Sequence, residues 1–222
     1  MTQEGTPVVV VDLGLGNLHS VLRGLERAGA APVVARSGEA ILRASRLVVP
    51  GQGAFRDGAS ALEGDLGAAL RHSIDAGTPY LGICLGMQLL FETSEEAPGA
   101  RGLGLFAGAV RRFPEPEASS QPGPGRRLKV PHMGWNVLRT EHALLEDGAY
   151  VYFVHSYRCE PDDASVVVAT ADHGGPFCAA VARGSVLACQ FHPEKSQRRG
   201  ERMLRRWLAS TDGVRSPRPL WS

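Results

Sequence analysis

The chain has 222 residues, with 24 basic and 23 acidic side chains and a formal net charge of +1. Charged residues are 21% and hydrophobic ones 43%, which excludes global disorder. Near-balanced charge argues against a broad phosphate-binding footprint, so nucleic acid is not an expected partner. No apolar run approaches the roughly 18 residues of a membrane span, and the apolar stretch at 7–11 follows Gln3 and Glu4, not a basic leader. The expectation is a cytoplasmic protein with no membrane partner and reduced thiols.

The first half alternates strand and helix signals. Val8, Val9, Val10 and Val11 form a continuous apolar run, the pattern of a strand buried on both faces of a parallel sheet. Gly14, Gly16 and Asn17 mark a turn. Leu18, Val21, Leu22 and Leu25 then recur at helical spacing, with Gly29 as the stop. Strands are expected at 31–35 and at 47–49, the latter ended by Pro50-Gly51. A helix is expected over 59–76, ended by Gly77, and a fourth strand at 79–83. This order implies an open, mostly parallel α/β sheet with right-handed crossovers and helices on both faces. Short β-rich runs follow at 104–113, 129–139, 150–155, 165–170, 177–183 and 186–191, expected as antiparallel additions or a flanking sheet. The 113–125 stretch, rich in Pro, Gly and Ser, reads as a loop. A last helix is expected near 197–209, and 211–222 reads as a loose tail.

The four cysteines, Cys84, Cys159, Cys178 and Cys189, form no C-x-x-C pair, so a zinc ribbon or a redox dithiol is not expected. Cys84 is the sharpest local signal. It stands between the strand ending at Ile83 and an apolar helical pattern carried by Leu85, Leu89 and Leu90, with Gly82 and Gly86 on either side. This is the cysteine form of the strained strand-to-helix elbow G-x-S-x-G. A helix N-terminus favours a thiolate, and its backbone N–H groups can hold an oxyanion. Taken by itself, the segment fits a small buried cysteine closing a tight turn equally well.

A cysteine nucleophile needs a base, and His192 is placed for it at the end of the apolar run 186–191. Residues i and i+2 of an extended segment share a side, so Glu194 is expected to orient the imidazole. A solvated His-Pro-Glu turn is the plain alternative. Pro50-Gly51-Gln52-Gly53 lies at the C-terminal edge of the sheet, where open α/β sheets bind ligands. Its two glycines leave the peptide units free to reorient. A simple strand-to-helix turn also fits it.

Together, GICLGMQ at 82–88 and QFHPEKS at 190–196 resemble, in order and spacing, the two signature segments of the class I (triad-type) glutamine amidotransferases. More narrowly, DLGLGNL at 12–18, PGQGAF at 50–55, VPHMGWN at 130–136 and YFVHSY at 152–157 are similar to the glutaminase subunits of imidazole glycerol phosphate synthases. The likeness covers residues 8–209 or so. It implies a flavodoxin-like fold in one amidotransferase domain, 1–222, with no cofactor and no metal.

The resemblance also implies roles. Cys84 attacks the side-chain amide of glutamine, His192 moves the protons and Glu194 orients His192. Backbone near Gly51, Gly53 and Leu85 forms the oxyanion site. Gln88, Ser156 and Tyr157 hold the amino-acid head of glutamine. Asn17, Trp135 and Lys195 match positions near a subunit interface. The implied partner is a (β/α)8 cyclase subunit in a heterodimer, which joins ammonia to a ribotide precursor. Its products are imidazole glycerol phosphate and aminoimidazole carboxamide ribotide, on the route to histidine. Such a barrel needs about 250 residues, so it must be a separate chain.

Overall fold

The computed structural model describes residues 5–114 and 129–210. The tail 211–222 and nearly all of the expected 113–125 loop lie outside the described residues. The valine run forms β1 (Thr6–Val11). Val8 and Val10 enter one hydrophobic cluster and Val9 and Val11 the other, the period-2 alternation of a doubly covered strand. Helix α1 (Leu18–Ala28) stops at Gly29, whose φ of 99° is the left-handed conformation that ends a helix. Then come β2 (Ala30–Ala35), α2 (Gly38–Leu42), β3 (Leu47–Gly51), α3 (Phe55–Ala61), α4 (Asp65–Asp75), β4 (Tyr80–Cys84) and α5 (Leu85–Gln88).

The second half, among its described residues, is built mostly from strand elements. It comprises β5 (Phe91–Ser94), β6 (Phe106–Arg112), β7 (His132–Val137), β8 (Arg139–Thr140), β9 (Tyr150–His155), β10 (Tyr157–Pro161), β11 (Val167–Asp172), β12 (Pro176–Arg183) and β13 (Val186–Cys189), before α6 (Gln197–Ala209). The main sheet runs β2-β1-β3-β4-β13-β12-β10-β6-β5, with β11 on β12 and β8 on β11. Strands β2, β1, β3, β4 and β13 are parallel, and β12 and β10 extend the sheet antiparallel. Strands β7 and β9 form a separate antiparallel pair. Thus both expected uses of the late strands occur.

Four local expectations differ from the structure. Pro50 and Gly51 do not end β3: they pair with Ile83 and Cys84 and carry the strand two residues further. The helix expected over 59–76 is two helices, broken at Gly64 with φ 83°. Helix α2 has five residues, too few to show a period. Strands β5 and β10 were not expected, because neither carries a long apolar run. No helix among the described residues is long and apolar enough to cross a membrane.

The arrangement that matters most is β13 beside β4. These strands are distant in sequence, yet Cys189 pairs with Ile83 in parallel register. The residues that follow each strand, near 84 and near 190, therefore emerge side by side at the same sheet edge. Helix α6 closes the face behind them, with Met203, Leu204, Trp207 and Leu208 buried. Arg46 lies over the Trp207 ring at 5.7 Å. Trp207→Ala is expected to cost about 3–5 kcal/mol in urea unfolding. A loss below about 1 kcal/mol would show that α6 is not held by this side chain.

Candidate active site

Cys84 ends β4 with φ 54° and ψ −109°, a conformation that L residues avoid. Its neighbours enforce it. A Cβ on Gly86 would fall on the carbonyl oxygen of Val49, and one on Gly82 would lie 2.8 Å from the oxygen of Gly86. The buried Tyr80 hydroxyl donates to that same Gly86 oxygen at 3.2 Å. Helix α5 is a single turn, much shorter than the apolar pattern suggested. The summed dipole of a long helix is therefore absent, and the local N–H groups of the turn are what remains to act on an anion.

His192 and Glu194 do not lie in an extended segment. His192 precedes a 3-10 turn, Pro193–Lys195. The pair still meets: Nδ1 of His192 and Oε1 of Glu194 are 2.8 Å apart, with side chains 2% and 3% exposed. The turn is tied down by the His192 N–H donating to the Tyr152 carbonyl at 2.9 Å and by Ser196 Oγ donating to the His192 carbonyl at 2.6 Å. Helix α1 makes room for it at Gly24, where a Cβ would lie 2.8 Å from Cβ of Glu194. Burial pulls the His192 pKa down, but the neighbouring Cys84 and then Glu194 outweigh it and raise it to about 9. The imidazole is thus a cation at neutral pH. Its Nε2 is buried with no normal hydrogen-bond partner, so that nitrogen is left to the chemistry at Cys84.

Cys84 opens onto a cavity of about 420 Å³ lined by Gln52, Gly53, Leu85, Gln88, Glu96, Ser156 and Tyr157, among others. That is the size of a small-molecule site. It gathers Gln88, Ser156, Tyr157, Gly53 and Leu85, all picked out from the sequence. Gly51 is not in the lining. Its Cα packs against Leu85 and it borders a separate narrow void with Asn17, His192 and Glu194. Asn17 stands at the start of α1 without capping it, its side chain reaching Ser20 Oγ at 3.2 Å. Trp135 is 45% exposed on β7 and meets Tyr152 edge-on, while Lys195 belongs to the turn after His192. The three residues expected at an interface therefore surround the His192 turn.

Sequence reasoning missed two residues. Glu96 lines the cavity and accepts the Phe55 N–H at 2.8 Å, but its acidic run, Glu95 and Glu96, reads as solvated surface. Gln190 is fully buried beside Cys84; the sequence set it within the apolar run 186–191 and the QFHPEKS segment, but neither gave it a role. In the cavity wall, His155 donates from Nδ1 to the Tyr157 carbonyl at 2.7 Å. Its Nε2 then accepts from Nδ1 of His132 at 3.0 Å, and His132 Nε2 accepts from Asn136 at 3.2 Å. Burial holds His155 down to about 3 and His132 down to about 4, so both rings are neutral. Among the described residues there is no cluster of His, Cys, Asp or Glu arranged to hold a metal ion.

The model of the family "Glutamine amidotransferase class-I" matches residues 9–210. The chain is similar to the imidazole glycerol phosphate synthase subunit HisH of Syntrophotalea carbinolica, 48% identical over 205 residues, 89% of this chain and 97% of that protein. The same-named subunit of Geobacter sulfurreducens is 46% identical, covering 90% of this chain and 97% of that one. Among solved structures, a glutamine amidotransferase aligns with TM-score 0.69 at 22% identity, covering 90% of this chain and 96% of its own. PurLQS from Thermotoga maritima aligns with TM-score 0.65 at 19% identity, covering 92% and 98%. At those identities the structural likeness speaks for the fold alone.

The four thiols differ in setting. Burial pushes Cys178 up to about 12 and holds Cys159 and Cys189 well above the ordinary thiol range. Only Cys84 lines the cavity. Brief treatment of the native chain with iodoacetamide is expected to modify Cys84 first, as read by peptide mass mapping. Equal labelling of Cys159 or Cys189 would contradict this ordering.

Proposed function

The chain belongs to the glutamine amidotransferase class-I family, and from that premise we propose that it releases ammonia from glutamine as the glutaminase subunit of an imidazole glycerol phosphate synthase. One observation carries the reading: the strained Cys84 faces a cavity roomy enough for an amino acid, with the buried His192–Glu194 pair beside it. The reading treats the whole chain, 1–222, as one domain, supported by the family match over 9–210 and by one sheet that runs through both halves.

The Cys84 thiolate attacks the carboxamide carbon of glutamine, and the carbonyl π electrons move to oxygen. Backbone N–H groups of Leu85 and Gly53 are the donors for that oxyanion. His192 gives its proton to the departing nitrogen, ammonia leaves and a γ-glutamyl thioester remains. His192, now neutral, takes a proton from water as the water attacks the thioester, and glutamate leaves with the thiolate restored. Glu194 keeps the ring oriented and stabilises its charged form.

The amino-acid head fits the opposite wall. Nε2 of Gln88 donates to the Tyr157 carbonyl at 3.3 Å and to Oε1 of Gln190 at 3.1 Å. Both of its N–H groups are committed, so its carbonyl oxygen is left to accept from the α-ammonium group. The Glu96 carboxylate adds negative charge there, and the Ser156-Tyr157 backbone faces the α-carboxylate. Ammonia passes to a (β/α)8 cyclase, which makes imidazole glycerol phosphate and aminoimidazole carboxamide ribotide for histidine synthesis. Asn17, Trp135 and Lys195, grouped around the His192 turn, are the contact residues of that heterodimer. The four free thiols suit the reducing cytoplasm.

Glutamate release is expected to rise when the cyclase and its ribotide ligand are added. Cys84→Ala is expected to lower it at least about 10³-fold in the assembled enzyme. Activity of Cys84→Ala near that of the unaltered chain would refute the assignment. The pH profile offers a second check. His192 must be protonated to release ammonia, so kcat/KM is expected to fall as pH rises through about 9. Glu194→Gln removes one of the interactions that raise this pKa, so the alkaline limb is expected at lower pH. An unmoved limb would remove Glu194 from the role given to it.

A further inference from the structure

Gln190 takes no part in the steps above and does not line the cavity. It is nevertheless fully buried, and its backbone N–H donates to the Ala179 carbonyl of β12 at 2.9 Å. Its side chain bridges two parts of the site. Nε2 lies 3.5 Å from Cys84 Sγ, and Oε1 accepts from Gln88 at 3.1 Å. The orientation is dictated. Gln88 donates to the Tyr157 carbonyl with the other N–H of the same amide, and a carbonyl must receive each donor. The Gln190 oxygen therefore faces Gln88, and its NH2 group is left facing the sulfur.

We propose that Gln190 is a positioning residue of the glutaminase reaction, which holds the Cys84 sulfur by an N–H···S bond and ties it to the substrate-binding amide of Gln88. The inference rests on the reading of Cys84 as nucleophile. An N–H donor bonds a thiolate more strongly than a thiol, so the contact favours the reactive form and fixes its direction. His192 acts on the sulfur as acid and base, whereas Gln190 acts on it as a fixed donor. One line of hydrogen bonds then runs from the Tyr157 carbonyl through Gln88 and Gln190 to the sulfur. A shift at the amino-acid head is felt at the nucleophile without any movement of the main chain.

Two variants test this, both assayed as the full chain with its cyclase. Gln190→Met keeps the volume and removes both bonds. Gln190→Glu keeps an acceptor for Gln88 but replaces the donor at sulfur with negative charge. The readouts are the pH profile of Cys84 alkylation by iodoacetamide, kcat and KM for glutamine, and circular dichroism for the fold. Gln190→Met is expected to move the alkylation midpoint up by about one pH unit, lower kcat roughly tenfold and raise KM. Gln190→Glu is expected to move the midpoint at least as far while leaving KM near that of the unaltered chain. Unmoved alkylation profiles in folded variants overturn the proposal, and so does loss of fold in both, which would assign Gln190 to core packing. Failure of the underlying reading looks different: unaltered Gln190 with Cys84 inert to alkylation, or Cys84→Ala still active.

Discussion

The left-handed backbone of Cys84 is the constraint on which the site depends. An ordinary extended residue there would let β4 run on past the point where the chain turns into α5. The bend is held by close packing: Gly86 passes against the Val49 carbonyl, Gly82 lies against Ala188 and the Tyr80 hydroxyl pins the Gly86 oxygen. Those contacts come from β3, β13 and β4 itself, so the central sheet must be formed before the nucleophile is presented. Strain of this kind costs of order 1–3 kcal/mol and persists only where the surroundings over-determine it.

The histidines show how surroundings decide charge. His192 and His155 are both buried, and burial lowers both. At His155 burial prevails: the bond to the Tyr157 carbonyl raises the pKa only in part and the nearby imidazoles lower it further, so the ring stays neutral and acts as a link in a hydrogen-bond line. His192 is bonded to Glu194 and faces Cys84, and these two partners carry it the other way. The same side chain thus holds the pocket wall in one place and supplies a proton in the other. The two roles need no difference in burial, only in the partners that the strands bring to each ring.

Much of this was legible in the sequence where a residue type had one physical use. The valine run, the helix ending at Gly29 and the elbow at Cys84 emerged as expected, because each is set by local sterics or by a simple period. The His192–Glu194 pair was found for an incomplete reason: it forms through a 3-10 turn fixed by Ser196 and Tyr152, not through an extended strand. The helix expected over 59–76 split at Gly64, since an apolar period continues across a break that backbone conformation imposes. Gln190 and Glu96 were hidden because polar residues carry no period. Their positions follow from the parallel register of β4 and β13 and from the cavity that the loops enclose, both tertiary facts.

The central claim is that Cys84 forms a bond to the γ-carbon of glutamine. The most direct measurement is acid quench of the cyclase-assembled enzyme during turnover, followed by peptide mass mapping. The account predicts a γ-glutamyl adduct on the peptide holding Cys84, absent without glutamine and absent in Cys84→Ala. Glutamate produced at full rate with no adduct on that peptide, or with the adduct on another residue, would contradict it.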